Sequence, residues 1–254
     1  MTKPSPEVEA LAARRLADDE SRLATITGAG SRRTNVGLGT AWRSFWRHPS
    51  PWMISTFLVG AVAARLLVAV TGDGGSWWEL IIPVVLLALF PVIEWVIHVF
   101  VLHWRPRRVG PVAVDSLLAR KHREHHADPR DIPLVFIPSR ALAWLLPAYV
   151  VVALLAMPTL TGALSLLVAV YSVKLGYEWT HYLVHSDYRP RSGWYRSVWR
   201  NHRLHHYKNE HYWFTVTTAG TADRLLGTCP DPASVPTSPT VKRLHADEAG
   251  RAAS

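Results

Sequence analysis

The chain has 254 residues, 49% hydrophobic and 19% charged, with a formal net charge of +9. A basic balance suits nucleic acid, an anionic membrane surface or an acidic substrate, but no nucleic-acid-binding motif accompanies the charge, and that partner class is set aside. The single cysteine, Cys229, excludes an intramolecular disulfide and any zinc site built on several cysteines.

Residues 1–37 are polar and basic and read as a flexible segment; no cleavable signal peptide is expected, because the first long apolar run begins only near Pro51. Residues 38–50 predict an amphipathic surface helix, with Trp42 and Trp46 four apart on one face. The membrane domain is expected over 38–228. Its predicted spans are 52–70, 78–102, 141–157 and 160–180, each long and apolar enough to cross a bilayer or nearly so. Arg65 lies inside the first and needs a partner or a route to the interface. Trp77 and Trp78 anchor the start of the second. Polar, basic segments 103–140 and 181–228 form a cap, and the Pro-, Ser- and Thr-rich tail 229–254 reads as disordered.

Lysine and arginine give the orientation. Residues 1–50 carry eight, 102–140 eight and 183–213 six, whereas the turns 71–76 and 158–161 carry none. Positive charge stays inside, so both termini and the cap are expected on the cytoplasmic side.

Ten of the thirteen histidines fall into four groups on that side: His98 and His103 in HVFVLH, His122, His125 and His126 in HREHH, His181 and His185 in HYLVH, and His202, His205 and His206 in HRLHH. On a helix, HxxHH and HxxxH each gather their imidazoles on one face. His98 and His103, five apart, diverge on a regular helix, so the helix is expected to loosen there or the metals to sit beside its end. Ten imidazoles are too many for one ion; shared between two they leave room for water or oxygen. Imidazole suits zinc, copper, iron and nickel, and spacing does not choose among them.

Ligating imidazoles usually give their other N–H to a carboxylate or carbonyl. Glu94, four before His98, and Glu178, three before His181, are candidates for that role; an ion pair with Arg65 is the alternative for Glu94. Asp131, Asn201, Asn209 and Asp223 are candidates to support the ligands or the fold, and His211 to line the site. His48 and His245, in polar terminal segments, are expected in solvent.

At these residues the chain resembles the fatty acid hydroxylase/sterol desaturase superfamily of membrane di-metal enzymes, over roughly residues 85–228. The order HxxxxH, HxxHH, HxxxH, HxxHH is most similar to the fatty acid 2-hydroxylase branch. The run from His125-His126 through Pro129 and Asp131 to Leu134-Val135 matches the family's surrounding words. So does the run from His205-His206 through Phe214-Thr215-Val216-Thr217 to Asp223-Arg224 and Gly227-Thr228. The chain departs from the family where Thr215 replaces the glycine of F-G-V-T. The opening pair argues against the sterol branch, and the spacing of His181 and His185 against the carotenoid branch.

The resemblance implies that all ten clustered histidines are ligands and that the chemistry is insertion of an O2-derived oxygen at an unactivated C–H bond. The expected cofactor is two iron ions, with zinc able to take the site in a purified protein. No fused haem domain is recognised, so electrons are expected from a separate ferredoxin or small haem protein with its reductase. The expected fold is all-α, four transmembrane helices under a cytoplasmic helical cap, in a bacterial inner membrane, acting on a lipid or fatty acyl chain. A desaturase, or a carotenoid or sterol hydroxylase, would share this scaffold. A metal transporter or sensor is the non-enzyme alternative, but transport needs ligands along a path through the membrane, and these cluster at one side.

Overall fold

In a computed structural model, residues 36–72 and 74–245 are described. The flexible segment expected at the N-terminus lies outside them up to residue 35, as does the tail beyond 245. Four helices are long and apolar enough to cross a membrane. A short helix α1 (Leu38–Phe45) precedes α2 (Pro49–Thr71). The next span, α3, is composite: a 3-10 turn Trp77–Leu80, an α-helix Ile81–Ile97 and a π turn His98–Leu102. Then come a hairpin, β1 (Arg107–Val109) antiparallel to β2 (Val112–Val114), helix α4 (Leu117–Ala127) and the short α5 (Ile132–Val135). The last two spans are α6 (Ser139–Ala156) and α7 (Leu160–His185); α8 (Gly193–Tyr207) and the short α9 (Thr221–Leu225) follow.

The sequence dictates most of these boundaries. Ser116, Thr159 and Ser192 accept from the amides of Ala119, Gly162 and Tyr195, capping α4, α7 and α8. Ser76 and Glu79 form a reciprocal capping box at the start of α3. The spans bury little of themselves against protein: Val70, Trp144 and Leu155 are 81–83% exposed. Apolar surface on that scale identifies an integral, multi-pass membrane protein. The inner faces of α2, α6 and α7 meet at Ile54, Leu142, Leu146, Leu167 and Tyr171, where Tyr171 donates to the Leu146 carbonyl at 2.8 Å. Arg65 does have a partner, Glu79 at 3.1 Å, so its pairing with Glu94 is not observed.

Helix α1 packs Ala41 and Phe45 against Phe136, Tyr182 and Leu183, with Trp42 and Trp46 in edge contact at 5.3 Å. Apart from the short hairpin at 107–114, the described residues form an all-α fold, as expected. One expectation needs correction: the tail is ordered as far as 245, because 229–245 folds back onto Lys208, Glu210 and His126. There the Ser238 amide donates to the Lys208 carbonyl, and the Ser238 and Thr240 hydroxyls donate to Glu210. Prolines and small polar residues lack the apolar pattern that marks an ordered segment; these hydrogen bonds supply the order instead.

Candidate metal centre

The histidines arrive from four helix ends. His98 closes the α-helical part of α3, and the π turn carries the chain to His103, whose amide donates to the His98 carbonyl at 3.0 Å. That i→i+5 bond widens the turn so that residues five apart meet on one side, and the two rings lie 5.1 Å apart. The loosening expected from the spacing is therefore present. His122, His125 and His126 lie on α4, His181 and His185 on the last turns of α7, and His202, His205 and His206 on α8.

These ten side chains form two groups, His98, His103, His122, His126 and His205, and His125, His181, His185, His202 and His206. Within each, one ring nitrogen per residue lies within 4.8 Å of all the others. All but His103 are buried. Each HxxHH triplet gives its outer, i/i+4 pair to one group and its middle residue to the other. His125 and His205 thus cross over and tie the groups together, a partition that spacing alone does not reveal. The groups adjoin, with the His126 and His206 rings 4.2 Å apart.

The contacts test whether these residues fit metal. His202 Nε2 approaches the Nε2 atoms of His181, His185 and His206 at 3.2, 3.0 and 3.0 Å. One imidazole nitrogen carries either one proton or one lone pair, so hydrogen bonds cannot satisfy three nitrogens converging on it. A cation at their centre satisfies all of them. With metal–nitrogen bonds of about 2.1 Å, adjacent ligands at right angles lie about 3.0 Å apart. The contacts His98–His122 (3.1 Å), His126–His205 (3.1 Å) and His125–His185 (3.2 Å) have the same character. The donor set fits two imidazole-bound ions.

Electrostatics point the same way. Burial first, and neighbouring imidazoles second, hold His103, His122, His126, His202 and His206 well below the ordinary imidazole value. His125 is lowered likewise, and His205 is pushed down to about 3 by burial and His98. These imidazoles are neutral at pH 7, the state a metal requires. Two of them have their tautomer fixed. His205 Nδ1 donates to the Tyr212 carbonyl at 2.8 Å and His126 Nδ1 to the Val241 carbonyl at 3.1 Å, which leaves each Nε2 lone pair facing inward.

The two carboxylates expected to accept from ligating rings, Glu94 and Glu178, hold other groups. Glu94 accepts from the amides of Val216 (2.7 Å) and Thr217 (3.0 Å) and from Thr217 Oγ1 (2.7 Å), not from a histidine. Glu178 accepts from Ser50 Oγ at 2.9 Å and the Ile137 amide at 3.0 Å. Asp223 takes the Phe214 and Thr215 amides (2.8 and 2.9 Å) and the Thr215 and Thr228 hydroxyls. Glu94 and Asp223 therefore clamp the 214–217 loop from two sides. That loop lays Phe214 against His98, His103 and His205, with ring centroids 5.3–5.6 Å apart.

Gly220, at φ +83, starts α9 beside buried Asn201, where a Cβ would stand 2.9 Å from Asn201 Nδ2. Asn209 accepts from the His211 amide and donates to the Pro236 carbonyl. Asp131 is exposed at the start of α5. His211 shares a cavity of about 320 Å³ with His103, Glu210, Phe214 and His245. His245 is thus not simply in solvent. His48 is not either: its ring stacks on Phe136 at 4.3 Å, and burial lowers its pKa. Buried Glu210 and the Val241 carbonyl are functional candidates with little sequence signal. Glu210 lies four residues after His206, but nothing in the tail's composition points to Val241.

A membrane protein with four candidate spans and two five-histidine groups able to hold metal is the class these observations define. The family model for fatty acid hydroxylase matches residues 83–228, more than half of the chain and all ten clustered histidines. The chain belongs to the fatty acid hydroxylase/sterol desaturase family. No curated protein matches it, and no solved structure does.

Proposed function

We propose that the chain is a membrane-bound di-iron oxygenase that hydroxylates an unactivated C–H bond of a lipid or fatty acyl chain. The observation that carries this reading is the convergence of ten imidazoles into two adjoining five-nitrogen groups beside four apolar spans. Two bound iron ions would supply the activation of O2, one oxygen atom entering the C–H bond and the other leaving as water, with two electrons and two protons from outside.

The protein's own residues do the rest. The ten histidines hold the ions. The Tyr212 and Val241 carbonyls orient two of the rings, and the loop fixed by Glu94 and Asp223 presses Phe214 over one group to limit water there. Electrons come from a separate small redox protein, and the basic cap lies on the cytoplasmic side of a bacterial inner membrane with both termini. The order of the histidine groups favours the fatty acid 2-hydroxylase branch, although the carbon attacked depends on how the chain is seated, not on the ligands.

Lipid extracts from cells expressing the protein under isotopically labelled O2 test the reading. A lipid that gains one labelled oxygen, absent with the His125→Ala variant, is the expected result. Loss of two hydrogens without oxygen gain would assign desaturation instead, and an unchanged lipid profile with an active electron donor present would contradict both.

A further inference from the structure

A cavity of about 900 Å³ lies between α3 and α7, inside the span region. Its α3 wall is Leu80, Pro83, Leu87, Phe90 and Pro91. Its α7 wall runs from Ser165 through Ala169, Ser172 and Gly176 to Thr180. Both sets recur at three- and four-residue intervals, one face of each helix. Fifteen residues of α7 separate Ser165 from Thr180, about 22 Å at 1.5 Å per residue, most of the thickness of a bilayer's hydrocarbon core. Small side chains on α7 make the room, and a Cβ built at Gly176 meets nothing within 4 Å.

Apart from Ser172, the cavity is apolar in the middle, and it is polar at both ends. One end reaches the metal centre: Thr180 precedes His181, the Tyr177 ring lies 5.6 Å from the His181 ring, and Thr217 and Thr218 complete the lining. Thr218 Oγ1 is buried there without a hydrogen-bond partner among the described residues. The other end is a closed polar cluster. Arg65 binds Glu79 Oε2, Ser165 Oγ and the Gly74 carbonyl, each at 3.1 Å, and Ser165 donates to Glu79 at 2.9 Å. Gly75 seals it so closely that a Cβ would lie 2.5 Å from Arg65 Nη2. The charges of Arg65 and Glu79 cancel, so a carboxylate head would be buried beside Glu79 without a free counter-ion. An uncharged hydroxyl or carbonyl finds donors and acceptors there at no such cost.

We propose that this cavity seats one long apolar chain whose uncharged polar end docks at Arg65, Glu79 and Ser165. The carbon facing the histidines is then the one farthest from the polar group. This rests on the reading of the histidines as the reaction centre, and it would shift attack away from the position beside a head group.

The test is photo-crosslinking of the purified, metal-loaded protein with a long-chain fatty alcohol bearing a diazirine at its terminal carbon, with labelled peptides mapped by mass spectrometry. Label on 176–181 or 214–218 is expected. Label on 74–80 or 165–169, or none, overturns the proposal. The matching fatty acid should label about tenfold less, the worth of a lost or unpaired polar contact; equal labelling by the acid overturns the uncharged-end assignment. Gly176→Phe should abolish labelling while keeping its metal. Labelling that persists in it removes the cavity from the account. Metal content, measured on the same samples, separates the two readings: a wild type that labels as expected but binds no metal leaves the chain seated and removes the oxygenase reading alone.

Discussion

At the scale of single residues, the site rests on a contrast between what imidazoles and carboxylates do. The imidazoles point nitrogen to nitrogen, an arrangement that a cation satisfies. The carboxylates expected to brace them hold backbone instead. Asp223, 0% exposed, takes four hydrogen bonds from the 214–228 segment. Asp223→Ala leaves two buried amides and two hydroxyls without their acceptor, a cost of about 3 kcal/mol or more; a thermal-unfolding midpoint equal to wild type would contradict this.

Acid should act on the histidines. Burial lowers their pKa in the folded chain, so below about pH 6.5 the unfolded chain binds more protons than the folded one. Stability of the metal-free protein should therefore be level between about pH 8 and 7 and fall as pH drops towards 5. A midpoint independent of pH over that range would argue against neutral imidazoles in the cluster. Which residues gather was legible from spacing. Their partition was not, because the exchange of His125 and His205 depends on how α4 and α8 cross.

At the scale of elements, the spans and their turns were legible, since long apolar runs bounded by capping residues and by turns without lysine or arginine leave few alternatives. The π turn was legible as a conflict: two histidines five positions apart, His98 and His103, suit no regular helix turn. The hairpin was not, because its strands are only three residues long and β1 is exposed; the ordered tail was not, because a proline-rich segment owes its placement to partners far along the chain. The tail bears directly on the metal site through the Val241 carbonyl on His126 and through Ser238 and Thr240 on buried Glu210. A chain ending at Thr228 should keep its spans but bind metal in the His98 group about 10- to 100-fold more weakly, the usual effect of losing a partner of a ligating histidine. Retention of both metals against a graded chelator series, as in the full chain, would reduce the tail to a cover.

At the scale of the molecule, the proposed orientation, read from the lysine and arginine pattern, puts the ten histidines at the cytoplasmic membrane surface. In a Cys229→Ser background, Arg120→Cys on the exposed side of α4 and Pro158→Cys in the turn between α6 and α7 report opposite faces. A membrane-impermeant maleimide should label Pro158→Cys in intact cells, and Arg120→Cys only after lysis; the reverse pattern would invert the topology. The central claim is reached most directly by the metal content of protein purified in detergent under iron-replete, reducing conditions, for wild type, His125→Ala and His205→Ala. The two variants strike different five-histidine groups. The account predicts about two metals per chain in wild type, as five imidazoles per ion allow, and a loss in each variant. A wild-type protein that binds none would contradict it.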